Sequence, residues 1–465
     1  MEYPYRFSNR WPARTGFVTM VLLLLLSVVF YKERTLFADI AYQTFLMIQE
    51  GGLQVQVFRF GSAIVHVLPY LAIQAGFPLE VVLILYSISF TLLYLCLYLL
   101  IVKWFKNDYM GLVLVFLFTL TVLDGFYWAT SEFQQGLAFT LFFYAFLLRF
   151  PTLKKGWQKL FVFFLIPTLV FYHPLIFVPF FFLFLFFLLT QPDFRRKEMY
   201  VTAGFFILVM VLKHLFAGNW YDSGKFEQFT KGLTDYFPNY LSMPVNRKFL
   251  VNSLKYWYFF PIFLFVVEAW YLRRKNWVSA GFVLLSCLGY LALVHIGSPH
   301  ATYRFYIEVS YMPLTIFVMT PFVFEILPKV KLNRIVTFLI IIFGFRLFAI
   351  FMNHKPYTER LEWISQKIGE EQEKEGGQLF VMQNSPEIED KMIISWGISY
   401  ESILLSAMEG KEKSFCLLML QRKGQYKEEL AEKKYLLTNF QKIPFEEVNP
   451  QYFRFNPAKY RWIGE

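Results

Sequence analysis

The sequence predicts an α-helical polytopic membrane protein with about 11 transmembrane helices and a small C-terminal α/β domain. Hydrophobic residues make up 57% and aromatic residues 21% of the 465 residues, more than the core of one soluble domain needs. Apolar runs of helical length recur through residues 1–352. The Lys and Arg residues of the short loops fall almost entirely on one side of these runs, as in polytopic membrane proteins.

The spans follow from apolar runs and their flanking charges. A helix needs roughly 20 residues to cross the hydrocarbon core, and somewhat fewer where short helices pack together. The eleven predicted spans are residues 16–31, 80–102, 109–122, 135–148, 159–172, 175–190, 201–216, 258–272, 277–295, 306–324 and 335–352. Residues 159–190 are too long for one upright helix at ~1.5 Å per residue. We therefore predict two short helices that turn at Tyr172-His173-Pro174.

The loop charges support that turn and set the orientation. With two helices in 159–190, the basic loop residues fall on the side of the basic N-terminus: Lys103, Lys106, Arg149, Lys154, Lys155, Lys159, Arg195, Arg196, Lys197, Arg273, Arg274, Lys275, Lys329, Lys331 and Arg334. The opposite short loops, 123–134 and 172–174, contain no Lys or Arg. The positive-inside rule then places the N-terminus in the cytoplasm and the C-terminal domain outside it.

The net charge, the flanks of the first span and the cysteine positions each exclude one class of protein. Orientation and attraction to an anionic cytoplasmic leaflet explain most of the net charge of +11, so we expect membrane lipids and no nucleic acid as partners. The first span has a basic flank but no small-residue cleavage site, which predicts a retained signal anchor. Cys96 and Cys287 lie in predicted spans and Cys416 stands alone in the tail, so no disulfide framework is implied.

We predict a transmembrane domain over residues 1–352 and an extracytoplasmic domain over 353–465. The long extracytoplasmic loop 32–79 has apolar residues at helical spacing, which predicts two amphipathic helices along the membrane surface. The loop 217–257 is aromatic and polar with few helix signals, which favours a mobile lid. In the last domain, helix-like YTERLEWISQKIGEEQEKE and SYESILLSAMEG and strand-like QLFVMQ and SFCLLML predict an α/β fold.

Asp39 is the first candidate for chemistry. It lies eight residues after the first predicted span, at the start of a predicted interfacial helix. A carboxylate in this place either accepts the unpaired N–H groups of the helix start or serves as a base or metal ligand. The residue alone leaves both interpretations open.

The layout of most of the chain resembles the GT-C glycosyltransferase superfamily. The shared features are an acid soon after the first span, two interfacial helices, many spans and a terminal extracytoplasmic domain. The resemblance implies a GT-C-like fold, a polyprenyl-phosphate-linked sugar as donor and a glycan or lipid as acceptor. It also implies that Asp39 is the base or a metal-linked acid. Many relatives have paired acids where this chain has Asp39-Ile40, so a divalent cation is an open cofactor.

Residues 131–182 are similar to the EpsG-type polymerase family of exopolysaccharide loci. That family typically has an Arg-Gln-Gly-like start to one span and a His at the outer end of the next, where this chain has Gln134-Gln135-Gly136 and His173. The resemblance implies a polysaccharide polymerase or ligase as the alternative function. Both resemblances imply the inner (cytoplasmic) membrane of a bacterium.

Glycosyl transfer needs an acid or base for the acceptor hydroxyl and cations for the departing phosphate. Glu132 is a candidate second acid facing Asp39, although a solvated loop residue is the alternative. His173 is a candidate to carry a proton or bind phosphate, and capping of the preceding helix is the alternative. Arg304 is the only Lys or Arg in its outer loop, which favours either a lipid phosphate ligand or an interfacial anchor.

The other candidate substrate-binding residues lie at the predicted outer interface. Arg59 and His66 are seven residues apart on a predicted helix, where they contact headgroups of the bilayer or of a lipid substrate. The remaining candidates are His300, Tyr303 and Tyr42. Trp128, Trp220, Tyr221 and Trp257 are candidates for stacking on a sugar, with the aromatic belt as the alternative.

No zinc or other metal site is predicted, because no acidic or His cluster accompanies His300 at metal-ligand spacing. A function of another class also stays open. The chain would then be a non-catalytic membrane subunit whose domain 353–465 binds a protein of an envelope assembly, since a fold persists after chemistry is lost.

Overall fold

The computed structural model describes residues 5–301, 303–422 and 424–463. Most of this chain is helical. The helices in chain order are α1 (Trp11–Val29), α2 (Tyr31–Thr35), α3 (Ala38–Glu50), α4 (Ala63–Gln74), α5 (Leu79–Leu99), α6 (Asp108–Leu117), α7 (Asp124–Tyr127), α8 (Glu132–Arg149), α9 (Gly156–Tyr172), α10 (Phe177–Thr190), α11 (Lys197–Phe216), α12 (Trp220–Asp235), α13 (Pro244–Lys255), α14 (Phe259–Arg273), α15 (Trp277–Gly297), α16 (Arg304–Pro321), α17 (Leu332–Met352), α18 (Lys355–Glu375), α19 (Pro386–Met392) and α20 (Ile398–Ala407).

Six helical segments in the described ranges are long and apolar enough to cross a membrane. They are Trp11–Val29, Leu79–Trp104, Lys197–Phe216, Trp277–Gly297, Arg304–Lys329 and Leu332–Lys374. The pair α13 and α14, bent by 88°, makes a seventh if it counts as one span. The chain thus has the apolar helices of a membrane protein, whereas the predicted count of eleven spans is not reproduced by helix length.

Helices occupy the other five predicted positions, but they are short. They are α6, α8, α9, α10 and α14, and their lengths run from 10 residues in α6 to 18 in α8. The shortest, α6, ends at Leu117, and residues 118–123 are not helical before α7 begins. An apolar run in the sequence therefore marks the position of a helix better than its length.

Arg346 of α17 pairs with the unwound backbone after α6. Its Nε donates to the Thr119 carbonyl at 2.7 Å and its Nη2 to the Val122 carbonyl at 3.1 Å. Its Nη1 donates to the Tyr256 carbonyl at 2.9 Å, and the side chain is 1% exposed. Buried backbone groups without a partner are costly, so this arginine replaces the bonds that a continuous helix would have made.

We expect Arg346→Leu to lower the free energy of unfolding by about 3 kcal/mol or more, because it leaves two buried carbonyls and one partly buried carbonyl without a donor. Thermal unfolding of the detergent-purified protein measures the effect. Arg334→Leu is the matched control, since Arg334 is exposed near the start of the same helix. Equal melting temperatures for the two variants would contradict this account of the unwound segment.

The loop 32–79 contains α3 and α4, at the places where the amphipathic pattern predicts helices. The loop 217–257 was expected to have little helix, and that expectation is wrong, because α12 and α13 fill most of it. Local caps start both helices. The Asn219 side chain accepts a hydrogen bond from the Asp222 N–H at 2.9 Å, and Pro244 occupies the first position of α13, where its missing N–H costs nothing.

The C-terminal region contains the small sheet that the sequence predicts. Its strands are β1 (Leu379–Gln383), β2 (Cys416–Leu420), β3 (Tyr435–Leu437), β4 (Lys442–Pro444) and β5 (Arg461–Trp462). Three parallel strands have the order β2-β1-β5, and β3 and β4 form an antiparallel pair. Helices α18 and α20 pack on this sheet through Ile364, Ile398, Phe380 and Leu417.

This region also contacts the segment 32–79. The Asn449 N–H donates to Gln49 Oε1 at 3.0 Å, and Asn449 Nδ2 donates to the Ile48 carbonyl at 2.7 Å. The Tyr452 hydroxyl donates to the Phe77 carbonyl at 2.9 Å. Helix α3, which begins next to Asp39, is therefore held from the side of the C-terminal region.

Candidate functional site

Seven side chains from distant parts of the sequence are connected by a continuous series of contacts. They are Asp39, Trp128, Tyr306, Lys225, Tyr221, Arg59 and Glu132, and we call them the Asp39 cluster. All except Arg59 are partly exposed, so a ligand can reach them. The cluster lies where α3, α8 and α16 begin, and α12 contributes Tyr221 and Lys225 to it.

Asp39 and Glu132 are the two ends of this series of contacts. Trp128 Nε1 donates to Asp39 Oδ2 at 2.8 Å, and the Trp128 and Tyr306 ring centroids are 5.9 Å apart. Arg59 Nη1 donates to Glu132 Oε2 at 2.9 Å. The charge of Glu132 also acts on the Asp39 carboxyl group.

Burial, with a smaller contribution from the charge of Glu132, raises the pKa of Asp39 to about 6. The hydrogen bond from Trp128 acts in the opposite direction. An acid with this pKa is ionised at neutral pH and still takes up a proton readily. These are the properties that a general base requires.

The raised pKa of Asp39 has a consequence for stability. Since the native state binds this proton more tightly than the unfolded chain, stability falls as pH rises from about 4 to about 6 and stays lower above it. We expect Asp39→Asn to raise the free energy of unfolding at pH 7 by on the order of 1–2 kcal/mol.

The same substitution has little effect at about pH 3, below the ordinary pKa of an aspartate, because Asp39 is then largely protonated in both states. Melting curves at the two pH values measure the difference. Asp235→Asn, at an exposed position of α12, is the matched control. If Asp39→Asn were less stable than the unchanged chain at pH 7, the Asp39 carboxylate would stabilise the fold, which would contradict this prediction.

Arg59 and Asp222 connect the cluster to α12 and α11. Arg59 is 8% exposed, and its Nη2 lies 3.5 Å from Asp222 Oδ1. Lys213 Nζ lies 3.8 Å from Asp222 Oδ2. Arg59 precedes α4, and His66 is 2% exposed, so the prediction that both lie on one exposed face of the same helix is wrong.

His173 lies beside the cluster. Its ring packs on Phe133 with centroids 4.5 Å apart, and its Nδ1 accepts the Leu175 N–H at 3.2 Å. Burial and the nearby charges of Arg59, Lys213 and Lys225 hold its pKa well below the ordinary value. His173 is therefore neutral, with its proton on Nε2. It can donate a hydrogen bond from Nε2, but it cannot bind phosphate as a cation.

Lys225 is a site residue that the sequence reasoning missed. Its Nζ lies 5.5 Å from the Tyr221 ring centroid and 5.2 Å from that of Tyr306. It forms no salt bridge within the part of the chain that the structure describes. A cation held between two aromatic faces, without a carboxylate partner, is available to an anionic ligand.

Arg304 lies outside the Asp39 cluster. Both ends of its guanidinium contact Asp124, with Nη2 2.6 Å from Oδ1, and Nη2 also donates to Asn353 Oδ1 at 2.7 Å. The guanidinium lies 4.1 Å from the Tyr256 ring centroid. A phosphate at this arginine would have to compete with the carboxylate that already holds it in a bidentate pair.

Three further candidates are not part of the Asp39 cluster. The Tyr303 hydroxyl donates to Glu389 Oε1 at 2.9 Å. His300 Nε2 is 2.9 Å from the Tyr236 hydroxyl. Tyr42 packs on three aromatic rings of the C-terminal region, those of Trp396, Tyr400 and Phe440. These residues connect elements to one another.

The four candidates for stacking on a sugar separate clearly. Trp128 and Tyr221 belong to the Asp39 cluster and are partly exposed. Trp220 is 80% exposed, whereas Trp257 is 1% exposed and its Nε1 donates to Glu308 Oε2 at 3.3 Å. Trp257 is therefore a buried structural residue, and its assignment as a sugar platform is wrong.

No group of three or more His, Cys, Asp and Glu side chains in the described ranges could hold a metal ion. Asp39 and Glu132 are the two acids of the cluster, and Glu132 is engaged by Arg59. These residues do not fit the divalent cation that the GT-C resemblance leaves open. Comparison with protein-family models, curated proteins and solved structures gives no match.

Proposed function

We propose that this chain is a GT-C-like integral membrane glycosyltransferase. It moves a sugar from a polyprenyl-phosphate-linked donor to a glycan or lipid acceptor on the extracytoplasmic side. One observation carries the proposal: the Asp39 cluster combines an acid of pKa about 6 with a cation that has no carboxylate partner and with three aromatic faces. Base, phosphate ligand and sugar platform are the three parts that such a transfer needs.

The place of the cluster suits a lipid-linked donor. Glu132 begins α8, His173 follows α9 and Tyr306 lies in the first turn of α16. In the proposed topology of eleven spans, all of these helix ends face the extracytoplasmic side. A donor whose lipid tail lies in the bilayer presents its phosphate near the same level.

In the proposed reaction, the Asp39 carboxylate takes the proton of the acceptor hydroxyl. The acceptor oxygen forms a bond to the anomeric carbon, and the bond from that carbon to the phosphate oxygen breaks. The bonding pair leaves with the polyprenyl phosphate, and the Lys225 ammonium stabilises its growing charge. Trp128 and Tyr221 pack against the sugar. No step passes through a metal ion.

The remaining cluster residues act through their neighbours. Glu132 keeps the pKa of Asp39 high by its charge, and Arg59 holds both Glu132 and the α12 residue Asp222. His173, neutral and donating from Nε2, supplies a hydrogen bond to the phosphate or acceptor. Arg304 is a secondary phosphate ligand in this proposal, and it can bind phosphate only after its ion pair with Asp124 opens.

The test is a transfer assay in membranes that contain the full chain. Polyprenyl phosphates and diphosphates carrying radiolabelled sugars are supplied in turn, and the label is followed from the lipid fraction to an acceptor. Transfer from at least one donor, absent from membranes without the chain, supports the proposal. No transfer from any donor would count against it.

The products of the same assay separate the alternatives. Addition of one sugar supports the transferase, whereas long chains select the EpsG-like polymerase or ligase. The polymerase motif is used for packing, since a side chain at Gly136 would lie 2.9 Å from Tyr172 Cβ and Gln134 donates to the Gly125 carbonyl at 3.0 Å. An inactive chain that co-purifies with an envelope protein through residues 353–465 would be a non-catalytic subunit.

A further inference from the structure

The backbone directly before Asp39 has an unusual conformation. Ala38 has a φ of +36°. Positive φ values are common for glycine but rare for residues that carry a side chain. Such a conformation costs energy and persists only where neighbouring groups impose it. Ala38 is also 1% exposed, so the imposing groups must lie in direct contact with it.

Those groups belong to the C-terminal region. Glu401 of α20 is 0% exposed, and its Oε1 accepts the Ala38 N–H at 2.7 Å. Arg360 of α18 forms a buried ion pair with Glu401 and donates to the Leu36 carbonyl at 3.2 Å. The Arg360 guanidinium also lies 5.1 Å from the Phe37 ring centroid. Each residue from 36 to 38 is thus held by this pair.

Gly397 allows the close approach. A Cβ at this position would lie 2.6 Å from Ala38 Cα and 2.5 Å from Glu401 Oε1. The first distance is to backbone and leaves no room for a side chain. Gly397 therefore fixes how near the start of α20 can come to Ala38.

A buried ion pair is a poor means of stabilising a fold, because desolvation consumes most of the attraction. This pair aims its hydrogen bonds at the backbone that leads into Asp39. We propose that Glu401, held by Arg360, is a positioning residue for Asp39: it fixes the Ala38 turn and so places the Asp39 carboxylate against Trp128. This inference rests on the proposed function of the Asp39 cluster.

The experiment follows the ionisation of Asp39 without any substrate. The emission of Trp128, taken as the difference between the full chain and its Trp128→Phe variant, reports the hydrogen bond to Asp39 as pH changes. Charged or titratable neighbours of Asp39 are Glu132, Tyr42 and Tyr86. Asp39→Asn must abolish the transition near pH 6, which identifies Asp39 as its source.

In Glu401→Ala the Ala38 turn relaxes and Asp39 becomes more exposed. We expect the midpoint to fall by about one pH unit or more toward the ordinary aspartate value near 4. Glu401→Gln keeps an acceptor for the Ala38 N–H, so its midpoint stays near that of the unchanged chain. Glu409→Ala, at an exposed position, is the matched control and leaves the midpoint unchanged.

Gly397→Ala is the second probe, because it pushes on Ala38 while both charges remain. It decides the matter if Glu401→Ala does not fold, and we expect its midpoint to fall in the same direction. An unchanged midpoint in folded Gly397→Ala or Glu401→Ala would overturn the positioning role. Since no donor is present, the shift is seen even if sugar transfer is never found, and the two proposals fail separately.

Discussion

Asp39→Asn is expected to reduce sugar transfer by about 10²–10⁴-fold, the usual contribution of a general base. The amide keeps the shape of the side chain and an oxygen for the Trp128 N–H, but it cannot take the acceptor proton. The loss should therefore be in the rate of transfer and not in donor binding. Initial rates with the labelled donor in proteoliposomes measure it, and Asp235→Asn is the control for an exposed aspartate of α12.

The role of Asp39 as a base also predicts how the transfer rate depends on pH. Transfer by the unchanged chain should rise with pH through about 6, because Asp39 must be ionised to act. Glu132→Gln removes a charge that raises the pKa of Asp39, so the rising limb should move to lower pH. A folded Asp39→Asn variant with the rate of the unchanged chain would remove Asp39 from its proposed role.

Arg59→Leu is expected to reduce both stability and transfer. Arg59 is 8% exposed and bridges Glu132 and Asp222. Its loss leaves the poorly solvated Glu132 carboxylate without its cation and Asp222 with Lys213 alone. Breaking a buried pair in this way costs about 3–5 kcal/mol. Helix α12, which carries Tyr221 and Lys225, loses its connection to α8. A displacement of about 1 Å in such a site reduces the rate by about 10²-fold.

Thermal unfolding and transfer rates of the same preparations measure both effects. Arg247→Leu is the matched control, since Arg247 is exposed on α13. Arg59→Lys keeps the charge but cannot bridge two carboxylates with a planar fork, so an intermediate loss is expected. If Arg59→Leu melts and reacts like the control, the charge network does not hold the cluster together.

The positions of the helices could be predicted from the sequence, because apolar runs mark them without knowledge of the fold. Asp39 and Glu132 could be predicted as a pair for a similar reason. Each begins a helix on the same predicted side of the membrane, so both carboxylates were expected at the same surface. Their approach to Trp128 and Arg59 agrees with that simple geometry.

Pairings between distant segments could not be predicted. Arg346 is 227 residues from Thr119, and the need for its hydrogen bonds arises only because α6 unwinds. Arg304 stood out by its charge, yet its partner Asp124 is 180 residues away and became evident only in three dimensions. Lys225 lies in a polar aromatic stretch with no spacing signal, and only the fold places it between Tyr221 and Tyr306.

The most direct measurement for the central claim is native mass spectrometry of the gently purified full chain. We predict a bound polyprenyl-phosphate lipid in the unchanged protein, strongly reduced in Lys225→Ala and retained in Lys231→Ala, at an exposed position of the same helix. Arg304→Ala, measured alongside, shows whether Arg304 contributes to lipid binding. Absence of the lipid from the unchanged protein would contradict the transferase account and favour a partner-binding membrane subunit.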